Sequence, residues 1–321
     1  MLQSQLTCAV YNTNFTISSA LYQHLYQYYT SKQYTTEYRR RSHIFVPLNK
    51  PRFLEKIGNG DIAADGFIWD LEDSVPNDQK HIARQALANL PKKPGNVEYN
   101  VRINCGTPEE LDLDIQAIAK VKLDSVTLPK GESAAEILRL IRLIGEDKAY
   151  IVTIETLKGL HAIDEIASVL KPGRDALGFG AGDMSTDMGI ERTSICENTL
   201  FRQMLCTIAM TGKRYNLDLF DGVSARFNDP EFARIESEFS CYYLGYTGKK
   251  LINPKQLAPI NEVFTPRKSI IAEQLATLDS FLASPTTNAH VVGNEYKGMP
   301  AFKSATKNIE KLLRQGYLEL A

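Results

Sequence analysis

The chain has 321 residues, 43% of them hydrophobic, and a formal net charge of -1 from 37 Lys and Arg against 38 Asp and Glu. That balance gives no electrostatic footprint for nucleic acid or an anionic membrane, and no uncharged stretch approaches the roughly 18 apolar residues of a membrane span, so the expected ligand is a small molecule. Five scattered cysteines, Cys8, Cys105, Cys196, Cys206 and Cys241, without CxxC spacing argue against a disulfide framework or a zinc site and point to a reducing cytoplasm, and the N-terminus lacks the basic segment and apolar core of a signal peptide.

Residues 1–40 set Tyr22, Tyr26, Tyr28, Tyr29, Tyr34 and Tyr38 among Gln, Thr and Ser. The spacing of Leu21, Leu25 and Tyr28/Tyr29 predicts an amphipathic helix that packs on the main domain or on a partner subunit, with an aromatic ligand platform as the alternative. From Arg39 onward the punctuation becomes regular. Apolar runs of strand length recur at His43–Leu48, Gly66–Asp70, Tyr99–Asn104, Ser125–Lys130, Tyr150–Glu155, Ala176–Asp183, Phe220–Ser224 and Lys249–Asn253. Helix-period segments lie between most of them: Gln79–Leu90, Pro108–Val121, Ala134–Gly145, Leu157–Leu170, Glu197–Tyr215 and Pro230–Leu244. Thr107-Pro108 and Asp229-Pro230 are helix starts, a capping residue followed by proline in the first turn.

Eight strands alternating with helices over roughly 210 residues match a (β/α)8 TIM barrel, which takes about 250 with its last helix. A doubly wound open sheet is the alternative, but it usually has fewer strands, and no GxGxxG follows the first run. Gly178, Gly180 and Gly182 fall within the sixth run, where small residues allow a bulge or a close backbone approach. Tyr150–Glu155 and Ala176–Asp183, with a helix between them, make a βαβ unit whose strands are parallel neighbours. Glu155 and Asp183 would then emerge side by side at the carboxyl edge, an arrangement suited to a divalent cation.

Other strand ends are polar as well: Asp70-Leu71-Glu72-Asp73, Arg102-Ile103-Asn104, Lys130-Gly131-Glu132 and Asn253. An acidic residue after a strand is more often a helix cap than a ligand. Arg102, between apolar neighbours, needs an anionic partner if it is buried.

Several motifs recur together: Asp70-Leu-Glu72-Asp73-Ser-Val75, Val101-Arg102-Ile-Asn104, Leu128-Pro-Lys130-x-Glu132-Ser133, Ile154-Glu155-Thr156, Phe179-Gly-x-x-Asp183 with Asp187-x-Gly189, Asp221-Gly-Val, and Gly245-x-x-Gly248-Lys249 through Asn253-Pro254. In order and spacing they closely resemble the citrate lyase beta subunit-like, or malyl/citramalyl-CoA lyase-like, branch of the HpcH/HpaI aldolase superfamily. The resemblance runs from about Arg41 to Phe264-Thr-Pro266. It implies a TIM barrel that uses Mg2+ to cleave or form carbon–carbon bonds in β-hydroxyacyl thioesters of coenzyme A or acyl carrier protein, assembled as a trimer or hexamer.

By that resemblance Glu155 and Asp183 are the metal ligands and Arg102 holds carbonyl or carboxylate oxygens. Glu72 and Asp73 would order metal-bound water or Arg102, with salt bridges or helix caps as their alternative. The thioester would lie on Asn49, Lys50, Arg52 and Lys130, although solvated surface charge describes Lys50 and Arg52 equally well. The chemistry suits these residue types: Mg2+ prefers oxygen ligands, takes one or two carboxylates and leaves positions for water and a chelating acid.

The chain departs from the family pattern at three places. Leu48 stands where the first loop usually has glycine, Asn253 where relatives read Ile-His-Pro, and Gly298 where a lid aspartate precedes Met-Pro, with only Glu295 nearby. The expected organisation is an N-terminal helical extension over 1–40, the barrel over 41–266 and a C-terminal helical lid or arm over 267–321. In that last part, amphipathic segments Ser269–Leu282 and Ala301–Leu318 flank a polar linker containing Pro285, Asn288 and Gly293. The expected activity is a Mg2+-dependent carbon–carbon lyase or aldolase acting on a small carboxylic acid or its thioester. A thioester hydrolase or synthase on the same barrel, or a non-catalytic binding relative, is the alternative.

Overall fold

The computed structural model describes residues 4–31, 37–285 and 289–320; Tyr34 and Asn288 lie outside them. Two compact units result, one formed by Arg40–Thr265 and the other by the terminal segments up to Arg39 and from Pro266.

In the larger unit the eight runs become β1 (Ser42–Pro47), β2 (Gly66–Asp70), β3 (Glu98–Arg102), β4 (Ser125–Leu128), β5 (Ala149–Ile154), β6 (Ala176–Phe179), β7 (Asp218–Asp221) and β8 (Gly248–Leu251). Each pairs in parallel with the next, and β8 returns to β1 from Lys249↔Ser42 to Leu251↔Ile44, closing an eight-stranded barrel. Helices follow the predicted segments, and Pro51–Gly58, Ala181–Met188 and Leu257–Phe264 join them. Several strand boundaries shift by about two residues, the run expected over Phe220–Ser224 being the strand Asp218–Asp221, and two differences bear on the site. β6 stops at Phe179, so Gly180 caps a helix and Asp183 sits in its first turn rather than at a strand end. The helix expected over Leu157–Leu170 is two short ones, Leu157–His161 and Ile163–Ser168, that meet at Ala162.

Strand alternation sorts the barrel side chains into two environments. Phe67, Trp69, Tyr99, Val101, Val126, Tyr150, Val152, Leu177 and Leu219 face outward and form the main core with helix residues such as Ile137, Leu140, Phe201 and Ile208. The opposite parity forms a small separate cluster of Ile151, Ala176 and Phe220. Polar groups fill much of the remaining interior: the Asn100 amide donates to Ser125 Oγ at 2.7 Å and accepts from Thr127 Oγ1 at 2.7 Å.

At the amino end of the barrel Arg40 grips Glu98 with two bonds of 2.9 Å and reaches the Arg174 carbonyl at 2.8 Å. His43 Nε2 lies 3.2 Å from Glu98 Oε2, and its ring packs on Phe220. Gly66 lets that ring pass, since a Cβ there would come within 1.7 Å of it.

The smaller unit brings the two chain ends together. Ser4–Cys8 pairs antiparallel with both Thr13–Ile17 and Leu318–Leu320. The predicted N-terminal helix spans Ser19–Thr30 and buries Leu21 and Leu25, with Ser18 accepting the Leu21 N–H as its cap. Helices Lys268–Ala283 and Met299–Arg314 supply Ile271, Leu275, Leu278, Ile309 and Leu313 to the same core. The segments 1–40 and 267–321, read apart in sequence, thus share one unit. The expected polar linker holds a hairpin, Ala289–Val292 with Glu295–Gly298, turning at Gly293 with φ +62°. Among the described residues no helix is long and apolar enough to cross a membrane, and all five cysteines are free.

Burial raises the Glu98 carboxyl pKa, but the Arg40 charge and His43 outweigh it and hold the group well below the ordinary carboxylate range. Its stabilisation is therefore complete above the unfolded value of about 4.3 and is lost as pH falls below it. Glu98→Gln strands the buried Arg40 charge and is expected to cost about 3 kcal/mol at neutral pH. In urea melts it is also expected to flatten the loss of stability between about pH 5 and pH 3.

Candidate active site

A cavity of about 300 Å³ opens at the carboxyl end of the barrel, lined by Phe45, Asp70, Asp73, Arg102, Thr153, Glu155, Phe179, Gly180, Asp183, Arg192 and Lys250 among others. These residues come from six different strands or the segments that follow them, as barrel enzymes arrange their sites.

Glu155 follows β5 and is 4% exposed. Its Oε1 accepts the Lys130 N–H at 2.8 Å, and Lys130 holds that N–H in place with a left-handed backbone, φ +49°, that a non-glycine residue adopts only under constraint. Its Oε2 occupies the space beside Gly180, where a Cβ would lie 2.2 Å away. Glycine at 180 is thus a steric requirement of the Glu155 position. Asp183 faces the same cavity and accepts no hydrogen bond among the described residues. Burial raises the Glu155 pKa to about 7; the Lys130 N–H opposes the shift and the Asp183 charge adds to it.

Arg102, at the end of β3, donates to both oxygens of the fully buried Asp70 at 2.7 Å, from Nε and from Nη2. Its Nη1 lies 3.0 Å from Glu72 Oε2 and 3.6 Å from Asp73 Oδ2, and the guanidinium sits over the Phe45 ring at 4.6 Å. Asp70 also accepts the Glu72 and Ser74 N–H groups and the Ser74 hydroxyl, so one carboxylate fixes both the arginine and the loop after β2. Burial pushes the Asp70 carboxyl up, but Arg102 overrides it and the net pKa is lowered; Glu72 is raised by its burial despite Arg102. The guanidinium also lines the cavity wall, with Nη2 bonded to Asp70 and Nη1 between the Glu72 and Asp73 carboxylates.

The predicted residues separate into three groups. Arg102, Asp73, Glu155 and Asp183 line the cavity. Glu72 and Lys130 join at 3.2 Å and face an adjoining polar cavity of about 610 Å³ that also holds Asn104, Cys105 and Glu132. Asn49, Lys50 and Arg52 line neither cavity: the Asn49 amide donates to Gln79 at 2.7 Å, while Lys50 and Arg52 are exposed. Asn253 caps a short turn and bonds Asn228. Asp70, Thr153, Arg192 and Lys250 belong to the cavity without having been singled out as site residues. Lys250 carried a usable signal, a charge at an inward position of the last strand run.

The donor set itself tests whether a divalent cation suits the cavity. Glu155 and Asp183 repel each other there, which a cation between them would reverse. Among the described residues no group of three or more His, Cys, Asp or Glu converges as a metal cage, so the protein would supply two carboxylates and leave the other positions open. That is the donor pattern of Mg2+ rather than of structural Zn2+ or multidentate Ca2+.

Residues 41–254 match the family model described as HpcH/HpaI aldolase/citrate lyase. A (3S)-malyl-CoA thioesterase of Cereibacter sphaeroides is 31% identical over 228 residues, 70% of this chain and 77% of its own length. An L-malyl-CoA/beta-methylmalyl-CoA lyase of the same organism is 29% identical over 309 residues, 86% of this chain and 94% of its own. The crystal structure of CitE from Mycobacterium tuberculosis, in complex with magnesium, acetoacetate and coenzyme A, superposes with a TM-score of 0.68 at 25% identity, covering 87% of this chain and 98% of that one.

The elevated Glu155 pKa is open to direct measurement. In metal-free protein, 13C NMR of labelled glutamate carboxyls is expected to show one group titrating near pH 7, absent from Glu155→Gln. Glu155→Gln with an unchanged set of titrations would contradict that assignment.

Proposed function

The chain belongs to the HpcH/HpaI aldolase/citrate lyase family, and on that premise we propose that it is a Mg2+-dependent carbon–carbon lyase acting on a small β-hydroxy acid or its coenzyme A or acyl-carrier thioester. The observation that carries this reading is the convergence of Glu155, Asp183 and Arg102 on one cavity.

Bound Mg2+ would polarise the oxygens of a chelating acid and stabilise negative charge as an enolate develops. The other parts of the mechanism belong to the chain's own side chains. Glu155 and Asp183 would hold the ion, with Glu155 aimed by the Lys130 N–H and by the room at Gly180. Arg102 would present its guanidinium to a carbonyl or carboxylate oxygen of the ligand. Asp70 fixes the plane of that fork, so little orientation is lost when the ligand arrives. Phe45 beneath the guanidinium and Phe179 on the wall exclude water and strengthen both interactions. The magnesium, acetoacetate and coenzyme A bound by the similar CitE structure support an oxo acid and a thioester as the ligand classes.

A second reading, thioester hydrolysis, rests on the 31% identity to malyl-CoA thioesterases. Incubation with malyl-CoA separates the two. A lyase releases acetyl-CoA and glyoxylate; a hydrolase consumes water and releases malate and free coenzyme A. We expect acetyl-CoA and glyoxylate; release of malate and free coenzyme A in their place would sink the lyase reading.

Two substitution results are expected. Glu155→Gln combined with Asp183→Asn removes Mg2+ binding in a calorimetric titration while the protein stays folded. Arg102→Met lowers kcat/KM on malyl-CoA by about 10²- to 10³-fold, as loss of one preorganised oxyanion donor does.

A further inference from the structure

Lys250 leaves β8 and crosses the barrel interior to β5 and β6. Its Nζ donates to Thr153 Oγ1 at 3.0 Å, and a Cβ on Gly178 would lie 2.8 Å from that nitrogen. Thr153 and Gly178 are register partners, and Glu155 and Gly180 follow two residues later on the same segments. By strand alternation the ammonium occupies the layer directly beneath Glu155. The two glycines have parallel uses: Gly180 makes room for the carboxylate and Gly178 for the ammonium.

Lys250 is 2% exposed, yet it lines the cavity. Its neighbours among the buried cations are neutralised. Arg102 has Asp70 and Glu72, Lys249 has Asp221 at 2.7 Å and Glu236 at 3.3 Å, and Arg40 has Glu98. Lys80 has no carboxylate, but it donates to the Leu71 carbonyl, the Glu72 carbonyl and the Asn104 amide oxygen. Lys250 has only the Thr153 hydroxyl among the described residues, and no carboxylate within 4.0 Å.

An ammonium carries three donors, and a buried charge with unmet donors is costly. Glu155 does not meet them, since neither of its oxygens comes within salt-bridge distance of Nζ; Oε1 accepts the Lys130 N–H and Oε2 lies beside Gly180. Burial lowers the Lys250 pKa to about 8, with the Glu155 charge offsetting part of that shift. The nearby carboxylates have other partners: Asp70 and Glu72 pair with Arg102, and Glu155 and Asp183 would be taken by a divalent cation, so none of them reaches the Lys250 ammonium at the cavity floor.

We propose that Lys250 is a substrate-binding residue whose ammonium receives an anionic oxygen of an oxo acid held in the cavity, so that the site selects acids able to place negative charge toward the barrel axis. This inference rests on the reading of the cavity as a cation-dependent acid site. It adds a ligand contact on the far side of the metal pair from solvent, supplied by a strand that carries neither metal ligand.

The test is calorimetry on full-length protein with acetoacetate and Mg2+ as separate probes. With saturating Mg2+, Lys250→Met is expected to weaken acetoacetate binding by at least about tenfold. In the absence of acid, the same variant is expected to bind Mg2+ as well as wild type or more tightly, because a cation near the carboxylate pair has gone. A merely structural lysine would lower both affinities together. Gly178→Ala, which drives a Cβ into the ammonium position, is expected to weaken acetoacetate binding several-fold and serves if the methionine variant does not fold. The proposal is overturned if folded Lys250→Met or Gly178→Ala binds acetoacetate within twofold of wild type, or if wild type binds none. Failure of wild type to bind Mg2+ would instead overturn the metal reading, and the Lys250 comparison would still be read on metal-free protein.

Discussion

Everything at the barrel mouth depends on where the Glu155 carboxylate is allowed to sit. One oxygen is held by the Lys130 N–H, presented by a left-handed backbone, and the other fills the space that Gly180 leaves open. A larger residue at 180 would strike it, and without the Lys130 amide it would lose its only hydrogen-bond donor among the described residues. Because β6 ends at Phe179 and a helix begins at once, the same short segment places Asp183 on the same cavity. Two carboxylates are thus forced together in a poorly solvated place.

The surrounding side chains follow an electrostatic logic. The interior of this barrel is unusually polar for a buried region, with Glu98, Asn100 and Arg102 projecting in succession from β3. At the amino end the charges cancel locally, in the Arg40, Glu98 and His43 group, and they serve stability. At the carboxyl end they cancel less completely. Arg102 is matched by Asp70 and Glu72, but the carboxylate pair and Lys250 are each left with charge that an added cation and an added anion would neutralise.

Much of this was legible in the sequence, for identifiable reasons. The eight apolar runs and their helical spacers stand out because strands covered by helices need continuous hydrophobicity, and all eight formed strands of the closed barrel. Arg102 was conspicuous because a buried arginine demands a partner, and Asp70 supplies it from the neighbouring strand in direct register. Other features left no local trace. The pairing of Leu6 with Leu320 links the two chain ends, which periodicity within a window does not register. The hairpin from Ala289 to Gly298 is short and polar and reads as linker. Gly178 and Gly180 suggested backbone approach to a ligand, whereas the structure uses them to admit the side chains of Lys250 and Glu155. Asn49, Lys50 and Arg52 rest on the likeness of their loop to the family's first loop, and they line neither cavity.

Glu155 and Asp183 are expected to hold one divalent cation at the mouth of the barrel. A crystal soaked with Mn2+ in place of Mg2+ and measured at the manganese edge should then show one anomalous peak within about 2.5 Å of a carboxylate oxygen of each residue, with water or acid completing the shell. An empty map between them, or a peak at other ligands, would contradict it.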